Sequence, residues 1–152
     1  MKILMTGGTG FVGTTLAREL TAKGHSVTVL MRKVEAGASL PPGAISLEGD
    51  PTIRGAWQER VPEHEAFINL AGASIFTRWT DEAKRAIRES RILTTRHLVE
   101  AMAPRKGKET HLFSTSGAGY YGYHGDDKLS EESPPGTDFL AMLSRDWEAE
   151  AV

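Results

Sequence analysis

Apolar positions along the chain follow two rhythms. Short apolar or β-branched runs occur at residues 1–5 (Met1-Lys2-Ile3-Leu4-Met5), 27–30 (Val27-Thr28-Val29-Leu30), 44–48, 66–70 (Ala66-Phe67-Ile68-Asn69-Leu70) and 110–114. Each reads as a strand. Between them, apolar residues recur at spacings of three and four. Residues 14–23 read as a helix, with Gly24 as its C′ residue. Thr80 is an N-cap candidate, with Asp81 and Glu82 in the first turn. After it, Ala83, Ile87, Ser90, Thr94, Leu98 and Ala101 mark one face, widened by Ile92, Thr95, Val99 and Met102. This predicts a long amphipathic helix that stops before Pro104. Residues 53–60 read as a short helix with Trp57 inward, and 139–152 as a helix with Leu140, Leu143 and Trp147 on one face. Residues 34–43 read as a mobile surface loop. Strands alternating with helices predict an α/β fold. The expected form is a Rossmann-type doubly wound parallel sheet of order 3-2-1-4-5, with its switch point between strands one and four.

The first thirteen residues organise the rest. The opening strand runs straight into Thr6-Gly7-Gly8-Thr9-Gly10-Phe11-Val12-Gly13, and a helix follows. Gly7 allows the tight turn off the strand, Gly10 lets backbone approach a pyrophosphate, and Gly13 lets the helix pack closely. The helix N-terminus offers free N–H groups and a positive dipole end to phosphate. Gly7, Thr9, Gly10, Phe11, Val12 and Gly13 are therefore expected to hold a dinucleotide. The alternative is a tight βα turn that binds nothing.

Later strand ends add to this site. The second strand is followed by Met31, Arg32 and Lys33, where NAD-specific sites usually carry an acidic residue for the ribose 2′-hydroxyl. Basic groups accommodate a 2′-phosphate instead, so NADP(H) is favoured over NAD(H). The competing reading of Arg32 and Lys33 is a solvated loop pair. Asp50, closing the third strand, is either a contact at the adenine end or a turn residue. Leu70, Ala71 and Gly72 bring the chain close to the cofactor after the fourth strand, and Ser114 ends the fifth. The turn beyond it, Ser114-Thr115-Ser116-Gly117-Ala118-Gly119-Tyr120-Tyr121-Gly122, is too rich in hydroxyls and glycine to be plain strand. It lies where open α/β sheets place their sites.

Composition narrows the classes. A chain of 152 residues, 39% hydrophobic, is enough for one domain with an α/β core. A net charge of −2 gives no reason to expect nucleic acid or an anionic membrane as partner. With no cysteine there are no disulfides and no thiolate nucleophile. No apolar run approaches the roughly 20 residues of a membrane span, and no signal peptide is evident. A soluble cytoplasmic protein acting on a small-molecule substrate is expected. The five histidines, His25, His64, His97, His111 and His124, show no ligand spacing. The first four read as surface residues, and His124, in a loop near the site, as a weak acid/base candidate. Asp126, Asp127, Glu131 and Glu132 are spaced as a solvated loop rather than a metal site, so no metal is expected.

The glycine turn, Leu70-Ala71-Gly72 and the Ser-rich turn ending Tyr121-Gly122 together resemble the extended short-chain dehydrogenase/reductase superfamily, the NAD-dependent epimerase/dehydratase group. Three segments are similar to its atypical sugar-nucleotide-epimerase-like subgroup. They are Ile68-Asn69-Leu70-Ala71-Gly72-Ala73 with Arg78-Trp79-Thr80; Arg88-Glu89-Ser90-Arg91-Ile92 with Thr94-Thr95; and Gly119-Tyr120-Tyr121-Gly122 with Asp146-Trp147-Glu148. The resemblance implies that this chain is the N-terminal half of a protein about twice as long. It would hold five strands of a seven-stranded sheet and lack the region that closes over substrate. It also implies a homodimer as the form of any association, through the helices at 81–102 and near Phe139.

Typical superfamily members use a Ser or Thr, a Tyr and a Lys. Ser116 matches the Ser, but the Tyr position falls on Leu143 and the Lys position on Trp147, and neither transfers protons. The atypical subgroup shares that departure. Tyr120 and Tyr121 are the replacement candidates, with Arg91 as a cation to lower a phenol pKa; the alternatives are packing for the tyrosines and a surface ion pair for Arg91. Two functional readings stand. One is an NADP(H)-dependent oxidoreductase or epimerase acting on a sugar nucleotide or similar hydroxyl or carbonyl compound, with Ser116, Tyr120 and Tyr121 catalytic. The other is a non-catalytic NADP(H)-binding sensor or regulatory module.

Overall fold

The structure, a computed structural model, describes residues 1–33 and 40–152, so most of the loop predicted at 34–43 lies outside the described residues. Five strands form one parallel sheet: β1 (Lys2–Thr6), β2 (Ser26–Met31), β3 (Ile45–Glu48), β4 (Ala66–Asn69) and β5 (His111–Ser114). Their order is β3-β2-β1-β4-β5, as the element order predicts. Helix α1 (Phe11–Ala22) follows β1, α2 (Asp81–Met102) joins β4 to β5, and α3 (Phe139–Ala149) follows β5. Two helix limits differ from expectation. α1 begins at Phe11, so Phe11, Val12 and Gly13 form its first turn. α3 stops at Ala149 rather than running to residue 152. The short helix expected at 53–60 is a 3-10 segment, Ala56–Glu63, which buries Trp57 as expected.

Side chains alternate across the central strand, so each face of the sheet gets its own core. Ile3 and Met5 join Val27, Val29 and Ile68 under Ala17 of α1. Leu4 joins Leu30 and Phe67 under Trp57, Val61 and Leu98. A third cluster lies between α2 and α3, from Ile87, Ile92, Leu143 and Trp147. α2 starts as predicted, with the Thr80 hydroxyl accepting from the Ala83 N–H at 3.2 Å. Asp138 caps α3 in the same way, accepting from the Ala141 N–H at 3.0 Å.

Two of the histidines read as surface residues are buried. His97 sits on the inner face of α2, with Nδ1 3.1 Å from the Pro51 carbonyl oxygen. His64, 5% exposed, bridges two elements. Its Nδ1–H donates to the Arg60 carbonyl at 2.9 Å, and Nε2 accepts from the Thr28 hydroxyl at 2.9 Å. A carbonyl only accepts, which makes Nδ1 the protonated nitrogen of the neutral ring. Burial pushes the His64 pKa below its ordinary value of 6.5. The unfolded chain therefore takes up this proton first. The stability owed to His64 is present above about pH 6.5 and is lost as pH falls towards the lower folded-state value. Urea denaturation at about pH 7.5 and about pH 5 is expected to show a larger loss for the wild type than for His64→Gln. Equal losses would remove His64 from the pH response.

Candidate functional site

Strand register brings the chemistry to one edge. Thr6 pairs with Leu30 and Asn69, Asn69 pairs with Ser114, and Met31 pairs with Glu48. The carboxyl ends of all five strands therefore stand in a row, and every loop carrying a candidate residue leaves from that edge. At its centre is the glycine turn. Gly7 has φ +68°, a left-handed conformation that a side chain strains. A Cβ there would also lie 2.7 Å from the Leu70 carbonyl carbon, so β1 and β4 diverge around a backbone with no room to spare. A Cβ on Gly13 would fall 2.2 Å from the Gly7 carbonyl oxygen. The helix thus starts in direct contact with the turn, and the first-turn N–H groups of Phe11, Val12 and Gly13 have no carbonyl within the helix to bind. The Phe11 and Val12 side chains point to solvent.

A cleft of about 320 Å³ opens above this turn. Of the expected cofactor residues, Gly7, Thr9, Gly10, Arg32, Asp50, Leu70, Ala71 and Gly72 line it. Phe11, Val12 and Gly13 stand beside it through their backbone, whereas Lys33 and Ser114 are not among its walls. Asp50 takes the turn role expected of it, at the wall of the cleft. It lines the cleft, and its carboxylate accepts from the Thr52 N–H at 2.9 Å and hydroxyl at 2.6 Å, closing a turn. Pro51, Thr52, Ser90 and Thr94 also wall the cleft. Ser90 and Thr94 read in sequence as members of a helix face and of a subgroup-like segment, not as cleft residues, because their spacing matches that of core residues.

A buried polar chain holds the Leu70–Gly72 wall. The Thr6 hydroxyl donates to Asn69 Oδ1 at 2.6 Å and accepts from the Ala71 N–H at 3.2 Å. Asn69 Nδ2 donates to Thr95 Oγ1 at 2.8 Å and to Ser114 Oγ at 3.2 Å. Trp147 Nε1 donates to the same Thr95 oxygen at 2.8 Å. Five elements and the cleft wall are thereby tied by buried and part-buried bonds. Ser114 belongs to this network.

Arg91 is neither a surface ion pair nor a partner of the tyrosines. Its Nη1 donates to the carbonyls of Ala73 at 3.0 Å and Ile87 at 3.1 Å, and the guanidinium lies 5.4 Å from the Trp147 ring centroid. Burial lowers its pKa from the ordinary arginine value. A Cβ on Gly72 would sit 2.8 Å from Arg91 Cζ, so the small residue there makes room for a protein group. Leu143 and Trp147, 4% and 6% exposed, face the α2–α3 core. The positions of the superfamily Tyr and Lys are packing positions here.

A second cavity, of about 390 Å³, gathers Ser116, Tyr120, Tyr121, Glu131 and Glu148. The Ser116 hydroxyl donates to Glu148, one residue past Trp147 on α3. Tyr120 and Tyr121 sit in a 3-10 turn, Ala118–Tyr121, with ring centroids 5.2 Å apart and edge on. His124 accompanies them through Nε2, 2.7 Å from the Tyr121 carbonyl oxygen. In sequence Glu148 stood only within the Asp146-Trp147-Glu148 segment of the resemblance and was not a site candidate, since only folding brings α3 beside the β5 turn. Asp126, Asp127 and Glu132 are exposed, and only Glu131 of that run reaches the cavity. Among the described residues, no group of three or more His, Asp or Glu is placed to hold a metal ion.

A parallel sheet of order 3-2-1-4-5, with a glycine turn at the first helix and a cleft at the switch point, is a Rossmann-type fold. The chain belongs to the NAD dependent epimerase/dehydratase family, whose sequence model matches residues 3–140. It is 36% identical to the Arabidopsis thaliana epimerase family protein SDR39U1 homolog, chloroplastic, over 100% of this chain and 44% of that one. The crystal structure of human epimerase family protein SDR39U1 (isoform 2) with NADPH aligns at a TM-score of 0.77 and 32% identity, covering 100% of this chain and 49% of the human one. A nucleoside-diphosphate sugar epimerase from Corynebacterium glutamicum aligns at a TM-score of 0.77 and 35% identity, over 99% and 30%. The chain thus spans about half the length of the curated relatives it matches. No helix among the described residues is long and apolar enough to cross a membrane.

Proposed function

We propose that this chain binds NADP(H) in the cleft over the glycine turn and forms the cofactor-holding part of an oxidoreductase or epimerase. The substrate class is a sugar nucleotide or a similar hydroxyl or carbonyl compound. The observation that carries this reading is Arg32, one residue past β2, in the wall of the same cleft as Gly7 and Gly10. The cradle fits the group: a Cβ at Gly7 or Gly13 would strike backbone, whereas at Gly10 its one near neighbour would be the Gly7 carbonyl oxygen at 3.2 Å. The N–H groups at the start of α1 would hold the pyrophosphate and Arg32 the 2′-phosphate. The similarity to the human protein whose crystal structure holds NADPH supports the same choice. When bound, the nicotinamide supplies a hydride acceptor or donor. Ser116 would orient the substrate oxygen, with Tyr120, Tyr121 and Glu148 lining the same cavity as proton-holding groups. The chain's match to about half of each relative supports placing the substrate-closing region outside these residues.

The burial of Leu143 and Trp147 favours a second reading, a non-catalytic NADP(H)-binding module. Calorimetric titration tests the part common to both. NADPH is expected to bind more tightly than NADH. Arg32→Ala is expected to weaken NADPH about 10- to 100-fold, the range for loss of a charged hydrogen bond, while NADH changes little. Equal loss for both cofactors would remove Arg32 from the 2′-phosphate. Turnover of a carbonyl panel by a longer homologous protein separates the enzyme from the module.

A further inference from the structure

Arg91 leaves one edge of its guanidinium unused. Nη1 donates to the carbonyls of Ala73 and Ile87, and the Nε–Nη2 edge has no hydrogen-bond partner among the described residues. Other arginines of this chain do use that edge. Arg54, Arg60, Arg96 and Arg145 each give Nε and Nη2 to one carboxylate. Arg105, part-exposed like Arg91, spends Nε on the Thr110 hydroxyl, Nη2 on the Glu109 carbonyl and Nη1 on the Pro62 carbonyl. No ion pair among the described residues includes Arg91. A charge withdrawn from water is normally paired. The side chain is nevertheless held in place, by two carbonyls and the Trp147 ring. A fixed fork with a free edge matches a carboxylate or a phosphate, which accepts two parallel N–H bonds.

Its surroundings say which ligand brings the anion. A Cβ on Gly72, a wall residue of the cofactor cleft, would lie 2.9 Å from Arg91 Nη2. Trp147, against the guanidinium, is followed by Glu148, which lines the Ser116 cavity. Arg91 thus touches both the wall of the cofactor cleft and the helix turn that borders the second cavity. Arg32 follows β2, and Ala73, which Arg91 holds, follows β4; these strands flank β1 on opposite sides. The two cations therefore serve different ends of what binds. The charged walls of the Ser116 cavity are the acids Glu131 and Glu148, which repel an anion.

We infer that the Nε–Nη2 edge of Arg91 is a binding site for an oxyanion, a carboxylate or phosphate group carried by the substrate. The assignment to substrate rather than cofactor rests on the NADP(H) reading above, which puts the dinucleotide's phosphates at the glycine turn and Arg32.

The test follows the Arg91 Nε–H resonance by NMR, assigned through its bonds to the backbone, in the wild type saturated with NADP+. Glucuronate, glucose 1-phosphate and glucose are the probes. They share a sugar ring and carry a carboxylate, a phosphate or neither. At least one of the two anions is expected to give a saturable shift with a midpoint of about 1 mM, the order for a contact of two charged hydrogen bonds, and glucose none. The anion that responds names the group the substrate carries. Arg91→Lys, which keeps the charge and loses the fork, is expected to weaken that anion about 10-fold. A resonance that no probe moves, or that glucose moves equally, would overturn the site. Undiminished binding in Arg91→Lys would overturn the two-bonded fit. If NADP+ itself moved the resonance and blocked the anion, the edge would belong to the cofactor and the substrate assignment would fall. The free protein is titrated in parallel. Failure of NADP+ to bind would sink the dinucleotide reading and the assignment to substrate, while the anion titration of the free protein still decides the oxyanion site.

Discussion

Gly13→Ala is expected to lower the melting temperature by about 6–12 °C and to abolish dinucleotide binding at concentrations that saturate the wild type. The added Cβ would lie 2.2 Å from the Gly7 carbonyl oxygen and 2.7 Å from Gly8 Cα. Both are backbone atoms, so no rotamer change relieves the clash. Either α1 lifts away from β1 or the turn opens. Overpacking costs about 1–3 kcal/mol, and the upper end applies where backbone must move. At about 2–4 °C per kcal/mol for a domain of this size, that gives the stated range. Binding suffers separately. A turn that opens no longer aims the first N–H groups of α1 at one point, and anion binding at a helix N-terminus depends on that convergence. Calorimetry of the free variant and titration with NADPH check both halves. A variant with wild-type Tm and wild-type binding would show that α1 does not pack on the turn as described.

Trp147→Ala is expected to destabilise the protein by about 3–5 kcal/mol, the range for removing a large buried aromatic. Trp147 fills the cluster of Ile87, Ile92 and Leu143 between α2 and α3. It also lies against the Arg91 guanidinium and donates to Thr95. Its loss leaves a cavity and removes the aromatic face from a half-buried cation. Trp147→Phe keeps most of the packing and the ring face but not the N–H, so it should cost about 1–2 kcal/mol, the worth of one buried hydrogen bond plus a small volume change. Chemical denaturation of the three proteins orders them. If Trp147→Ala proved as stable as the wild type, α3 would not be docked on α2 through this residue. The same geometry bears on the superfamily chemistry. A lysine at 147 would place its charge in this apolar cluster, away from the Ser116 cavity, so the missing Tyr and Lys are not restored by two point substitutions.

Much of the candidate site was legible because its signals are local. A glycine that needs positive φ, as at Gly7, or that tolerates no Cβ, as at Gly13, shows itself in a short motif between a strand and a helix. Basic residues just past β2 and small residues just past β4 are likewise read by position, since the carboxyl ends of parallel strands share one edge. Lys33 shows the limit of that logic. It neighbours Arg32 in sequence, yet it is not among the cleft walls.

By itself, the sequence determined the sheet order, the apolar faces of α2 and α3, the N-cap at Thr80 and the glycine cradle. Each follows from contacts or dihedral needs within a few residues, or from the handedness that limits parallel crossovers. Tertiary structure alone decided the fate of the polar side chains. His64 and His97 are buried because Thr28, Arg60 and Pro51 offer them partners, and two of these three lie far away in sequence. Arg91 turned towards Ala73 and Trp147, and Glu148 came to Ser116. A polar residue's role depends on which donors, acceptors and solvent surround it. Those neighbours come from other strands and helices, so no spacing along the chain reveals them.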